Sequence, residues 1–117
     1  MKVLLIDDNQ QIVQMLTTYL KLEGHDCTFT NDGNEGLTFI NNGKFDAILL
    51  DLAMPDISGF EIIDKMEENG SLKNNKTIVL TATALSNEQV NNLVNKGVTS
   101  CLTKPVDLDL LLSKIIS

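Results

Sequence analysis

The chain has no arginine among its 117 residues, and its 9 basic side chains are outweighed by 16 acidic ones, for a net charge of −7. Nucleic-acid binding is argued against, because it needs clustered Lys and Arg facing phosphates. Histidine is almost absent: His25 stands alone, in a turn after Gly24. The two cysteines, Cys27 and Cys101, form no CxxC pair. A zinc site needs about four Cys, His or carboxylate ligands, so this donor set argues against zinc. The cysteines read as reduced and partly buried, as in a cytosolic protein. No apolar run approaches the roughly 18 residues of a membrane helix, so no membrane insertion is expected. Met1-Lys2-Val3 leads straight into a strand-like run, without a signal peptide. The expected location is cytoplasmic.

What the chain does have is enough apolar content, 43%, for one core flanked by helices. Its length fits a single domain over residues 1–117. Strand and helix patterns alternate strictly. Lys2–Ile6 reads as a buried strand. Asn9 can cap a helix over Gln10–Glu23, with Ile12, Leu16, Tyr19 and Leu20 at helical spacing and Gly24 as its stop. Asp26–Thr30 reads as an outer strand, and Asn34–Asn42 as a short helix ended by Gly43. Phe45–Leu50 is a central strand, apolar on both faces as parallel strands are. A loop over Ala53–Ser58 precedes a helix over Gly59–Asn69. Lys73–Lys76 reads as a polar connection and Thr77–Leu80 as the fourth strand. Ser86 and Gln89 form a capping-box pattern before a helix with Val90, Leu93 and Val94 inward. Ser100–Thr103 is the fifth strand, and Asp107 caps a last helix ending near Ile116. Phe29, Phe39, Phe45 and Phe60 read as core or boundary residues.

This is a (βα)5 pattern. With right-handed crossovers it implies an α/β, doubly wound, five-stranded parallel sheet with helices on both faces. The flavodoxin-like strand order 2-1-3-4-5 makes strands one and three neighbours.

Four polar sites follow the apolar runs. Asp7-Asp8 follows Val3–Ile6, Asp51 follows Ala47–Leu50, Thr81 follows Ile78–Leu80, and Lys104 follows Cys101–Thr103. The C-terminal strand ends of an open parallel sheet share one edge, where ligands bind. Taken alone, the pair fits helix capping by Asp8 or Asn9 as well as it fits a binding site. Beside Asp51, the pair makes a cluster of three carboxylates that repel one another unless a cation binds. Mg²⁺ suits such a site, since it takes few protein carboxylates, keeps waters and engages phosphate oxygens. Asp51 is the candidate nucleophile, because carboxylates can form acyl phosphates. Lys104 supplies a positive charge and Thr81 a hydroxyl for phosphoryl oxygens.

These residues carry a resemblance. LLIDDN around Asp7-Asp8, LLDLAMPDISGFE around Asp51, VLTATA at Thr81 and LTKPV at Lys104 stand in the order and near-standard spacing of a response-regulator receiver domain. The chain resembles the chemotaxis-regulator-like receivers of two-component signalling over essentially its whole length. The resemblance implies that Asp51 accepts a phosphoryl group from a phosphohistidine on a histidine kinase or histidine phosphotransfer protein. It implies a Mg²⁺ site in which Asp8 ligates directly, Asp7 through water, and the Ala53 carbonyl joins Asp51. Thr81 and Lys104 would hold the phosphoryl group, and the Lys104–Pro105 bond is often cis in relatives. Output would pass through the surface of the helix after Ser86, the fifth strand and the last helix to an unknown downstream protein.

The chain departs from the pattern in three places. Cys101 stands where relatives carry Tyr or Phe. The segment from Thr81 to Lys104 is about one residue long, which leaves Thr83 as a second candidate hydroxyl, although the spacing from Asp51 favours Thr81. Ala53 cannot hold an attacking water through its side chain, so slow autodephosphorylation is expected. A chain of this kind is not a conventional enzyme, though it would catalyse its own phosphorylation. The alternatives are a degenerate receiver acting as a phosphorylation-independent interaction module, and an aspartate-nucleophile phosphatase. The phosphatase would place a second acid where Ala53 stands.

Overall fold

The two most apolar strand segments sit at the centre of the sheet because both of their faces are covered. The computed structural model describes residues 1–117. Its strands are β1 (Lys2–Ile6), β2 (Asp26–Thr30), β3 (Ala47–Asp51), β4 (Lys76–Thr81) and β5 (Ser100–Thr103). Its helices are α1 (Gln10–Leu22), α2 (Gly33–Asn42), α3 (Gly59–Glu68), α4 (Ser71–Asn74), α5 (Asn87–Lys96) and α6 (Leu108–Ile116). The sheet is parallel throughout, in the order β2-β1-β3-β4-β5. The doubly wound architecture and strand order read from the sequence are those observed.

Alternate strand residues serve opposite faces. Val3 and Leu5 of β1 join Leu49, Ile78 and Leu80 against Val13, Leu16 and Leu20 of α1 and Leu111 and Ile115 of α6. Leu4 and Ile6 join Ile48, Leu50 and Val79 against α2, α3, α4 and α5, through Ile40, Ile62, Ile63, Met66, Leu72 and Leu93. Truncating a fully buried leucine such as Leu16 costs about 2–5 kcal/mol, the lost transfer energy plus the cavity left behind.

The helix starts follow the sequence. Asn9 accepts hydrogen bonds from the N–H groups of Gln11 (3.0 Å) and Ile12 (3.2 Å). Ser86 and Gln89 exchange both capping-box bonds, at 2.9 and 3.1 Å. Asp107 accepts from Leu110 N–H at 3.1 Å. Past the end of α1, Gly24 adopts φ +86°, the left-handed geometry that glycine tolerates.

Several expectations are corrected. The stretch read as a polar connection, Lys73–Lys76, is divided between the short helix α4, which takes in Lys73 and Asn74, and β4, which starts at Lys76; Gly70 turns the chain at φ +82° into α4, and Leu72 plugs into the core. β3 begins at Ala47 rather than Phe45 and takes in Asp51. β4 runs one residue further at each end, taking in Lys76 and Thr81. Val94 is 47% exposed, since α5 buries only its Leu93 edge. Phe29, on the edge strand β2, is 57% exposed, and Phe60 also faces solvent. Phe39 and Phe45 are half-buried against the core, and Cys27 and Cys101 are free and half-buried.

Candidate functional site

Ile6, the last residue of β1, pairs with Leu50 of β3, and the residue that follows each in the chain is an aspartate, Asp7 and Asp51. Asp7, Asp8 and Asp51 each offer a carboxylate oxygen within 4.8 Å of the others. Asp7 and Asp51 are buried, whereas Asp8 is exposed. The cluster expected from strand ends far apart in sequence therefore forms.

Local backbone geometry holds each member. Asp7 N–H donates to Thr30 carbonyl at 3.1 Å, and its Oδ1 accepts from Asn9 N–H at 2.9 Å, turning the chain into α1. Asp51 Oδ1 accepts from Ala53 N–H at 3.3 Å. Gly59, at the start of α3, donates to Leu52 carbonyl at 2.9 Å. A Cβ there would lie 2.6 Å from both Asp51 carbonyl oxygen and Leu52 Cα. Only glycine lets α3 approach the backbone of Asp51 so closely.

Lys104 enters from β5. Its N–H donates to Thr81 carbonyl at 2.8 Å, and the Lys104–Pro105 peptide is cis. Its Nζ lies 2.8 Å from Asp7 Oδ2 and 3.7 Å from Asp51 Oδ1. Thr81 ends β4 with its side chain largely buried. Its hydroxyl donates to Thr83 carbonyl at 2.7 Å and accepts from Thr83 N–H at 3.2 Å, a local turn. Thr83 itself is exposed. The structure thus brings Asp7, Asp8, Asp51 and Lys104 into one cluster, with Thr81 joined to it through the backbone of Lys104. A depression of about 400 Å³ opens beside Asp7 along α1 and β2; Asp51 and Lys104 do not line it.

Burial pushes the Asp51 carboxyl up to about 6, and the neighbouring Asp7 adds to the rise. The Ala53 N–H and the Lys104 ammonium oppose it, while Asp8 raises it further. Burial alone lifts the Cys27 thiol to about 11 and raises that of Cys101. Both thiols are therefore poor nucleophiles.

Three hard oxygen donors with one ammonium among them leave an excess of negative charge, which fits a divalent cation of the Mg²⁺ type. Asp7 has both oxygens engaged by Asn9 and Lys104, so Asp8 and Asp51 are the freer donors. Asp56 had no assigned role in the sequence. It reaches the N-terminus of α2, 22 residues away in the chain, a contact that no spacing rule signals.

Residues 3–116 match the family model of the response regulator receiver domain. The transcriptional regulatory protein DltR of Streptococcus agalactiae is 31% identical over 115 residues, covering 98% of this chain and 50% of DltR. The chain thus spans about half the length of that relative. The receiver domain of the Francisella response regulator 1452 is similar with a TM-score of 0.90 and 31% identity, over 98% of this chain and 93% of that one. A Burkholderia pseudomallei response regulator, solved with a phosphorylated aspartic acid, a calcium ion and citrate, has a TM-score of 0.85 at 25% identity. It matches over 97% of this chain and 65% of its own. With the sheet order and the strand-end carboxylates, these matches identify the chain as a member of the response regulator receiver domain family of two-component systems.

Proposed function

We propose that this chain is a phosphoacceptor switch that takes a phosphoryl group onto Asp51 from the phosphohistidine of a histidine kinase or histidine phosphotransfer protein. The observation that carries the reading is Asp51 itself: a buried carboxylate inside a three-aspartate cluster, 3.7 Å from the Lys104 ammonium. The Burkholderia relative with its phosphorylated aspartic acid and calcium ion supports it.

In the step, an Asp51 oxygen attacks phosphorus. The P–O bond forms as the donor P–N bond breaks, and its electron pair goes to the imidazole nitrogen. Held by Asp7, Asp8, Asp51 and the Ala53 carbonyl, Mg²⁺ would offset the repulsion between carboxylate and phosphoryl group. Lys104 neutralises a phosphoryl oxygen by leaving Asp7. Thr81 can donate to another only by releasing the Thr83 carbonyl, so phosphorylation pulls on the loop after β4. The surface of α5, β5 and α6 then shifts toward a partner-binding form. Cys101 stands on β5 without the bulk of an aromatic, so this position offers no aromatic in/out switch.

The test uses phosphoramidate, a small donor with a P–N bond, and ³¹P NMR in Mg²⁺. An acyl-phosphate signal should grow with wild type and be absent with Asp51→Asn. A signal of equal size in the variant would refute the assignment.

A further inference from the structure

The loop between β3 and α3 touches the site directly, since Ala53 N–H donates to Asp51 Oδ1. What fixes that loop lies outside the cluster. Met54 and Ile57 are buried in the core, while Ala53, Pro55 and Asp56 are exposed. Asp56 Oδ1 accepts from Gly33 N–H at 3.2 Å, and its Oδ2 accepts from Asn34 N–H and Asn34 Nδ2, both at 3.1 Å. These are the first N–H groups of α2, which have no partner within the helix. Asp32 already caps α2 through the N–H groups of Asn34 (2.9 Å) and Glu35 (3.2 Å). A second carboxylate is therefore not needed to start the helix. The N-terminus of α2 favours both carboxylates, and what Asp56 adds is a tie between the 53–57 loop and that helix end.

Gly33 carries the same message. A Cβ on it would lie 2.3 Å from Ile57 Cγ2, 3.2 Å from Ile57 carbonyl oxygen and 3.3 Å from Asp56 Oδ1. Helix α2 is thus seated directly on the loop, with glycine allowing the approach and Asp56 locking it. Partial loss of hydration against the end of α2 works against the charged form of Asp56. The N–H donors of Asn34, Gly33 and Ile57 outweigh it and hold the carboxyl well below its ordinary range. The lock is consequently charged at neutral pH.

We infer that Asp56 is a positioning residue for the cation site: by tying the 53–57 loop to the amide groups of Gly33 and Asn34 on α2, it holds the Ala53 backbone against Asp51. The inference rests on the proposed reading that Ala53 and the three aspartates hold Mg²⁺. Groups that orient a metal ligand without touching the metal typically carry about tenfold or more of the affinity.

The experiment is a Mg²⁺ titration of the full chain followed by amide NMR, with hydrogen exchange at Ala53 N–H as a second readout without metal. Wild type, Asp8→Asn, Asp56→Ala, Asp56→Asn and Gly33→Ala are compared well below their melting temperatures. Asp56→Ala should weaken Mg²⁺ binding about tenfold and speed exchange at Ala53. Asp56→Asn keeps one acceptor oxygen and should fall between it and wild type. Gly33→Ala, which pushes Ile57 from the other side, should weaken binding in the same direction. Should Asp56→Ala fail to fold, the last two variants decide alone. A lowered melting temperature with wild-type Mg²⁺ affinity and Ala53 exchange would reduce Asp56 to a helix cap and overturn the inference. Wild type that binds no Mg²⁺, or binds it equally after Asp8→Asn, would overturn the metal-site reading and this inference with it.

Discussion

Lys104 is shared unequally between two aspartates: its ammonium sits 2.8 Å from Asp7 and 3.7 Å from Asp51. The lysine compensates a fully buried carboxylate while leaving Asp51 partly unpaired, and it occupies the charge position that a cation would contest.

Removing it has two opposite consequences. Lys104→Met leaves Asp7 buried without its charge partner, and breaking such a pair costs about 3 kcal/mol. Thermal unfolding in chelator should show that loss. Mg²⁺ should bind this variant several-fold more tightly than wild type, because the competing ammonium is gone, and should restore much of the stability. Acyl phosphate should nevertheless form more slowly, since no side chain neutralises the phosphoryl oxygen. Unchanged Mg²⁺ affinity would show that the lysine and the cation do not share the site.

Asp51 sets a pH dependence. Its carboxyl is raised from 3.8 to about 6 in the folded chain, so the folded state binds the extra proton between these values. Stability from this group is full below about pH 4 and is lost as pH rises through about 6. Without Mg²⁺, Asp51→Asn should therefore be more stable than wild type at pH 7.5, by about 1–2 kcal/mol after allowance for solvent screening. At pH 4 the difference should vanish. Mg²⁺ affinity should climb with pH up to about 6 and then level off, because the proton and the cation compete for one oxygen. Denaturant melts and calorimetric titrations at pH 4, 5, 6 and 7.5 check both slopes.

Ala53 bears on the lifetime of the phosphorylated form. Its methyl group cannot orient a water for attack on phosphorus, so the acyl phosphate should persist in Mg²⁺ for many minutes at least. Ala53→Asn, which adds an amide at this exposed position, should shorten the lifetime several-fold. Loss of the phosphoryl group from wild type within seconds would contradict this.

Gly59 couples α3 to the site. A methyl group there would press on the backbone of Asp51 and Leu52 at 2.6 Å, with no flexible side chain to yield. Gly59→Ala should lower stability by about 1–3 kcal/mol and reduce phosphorylation in protein that is still folded. Chemical denaturation paired with the ³¹P assay separates the two effects.

Much of this was legible in the chain because the signals are periodic or local. Strands apolar on both faces and caps at Asn9, Ser86 and Asp107 mark the alternating elements, and the flavodoxin-like strand order expected of such an alternation puts the strand-end residues Asp7, Asp8, Asp51 and Lys104 on one edge. The rest depends on which neighbour happens to lie nearby. Helix α4 is four residues long with one buried side chain, too short to show a period. Val94 fits the apolar stripe of α5, but that helix meets the core along a narrower edge. Phe29 lies on a strand whose outer side has no neighbour. Asp56 looked like one more loop acid because its partners, Gly33 and Asn34, are adjacent only once α2 has packed on the loop.

The most direct test of the central claim is intact mass after incubation with acetyl phosphate, with and without Mg²⁺, on wild type and Asp51→Asn. A gain of one phosphoryl group that requires Mg²⁺ and disappears in the variant is the expected result. No gain in wild type under either condition, or the same gain in Asp51→Asn, would contradict the assignment of Asp51 as the acceptor.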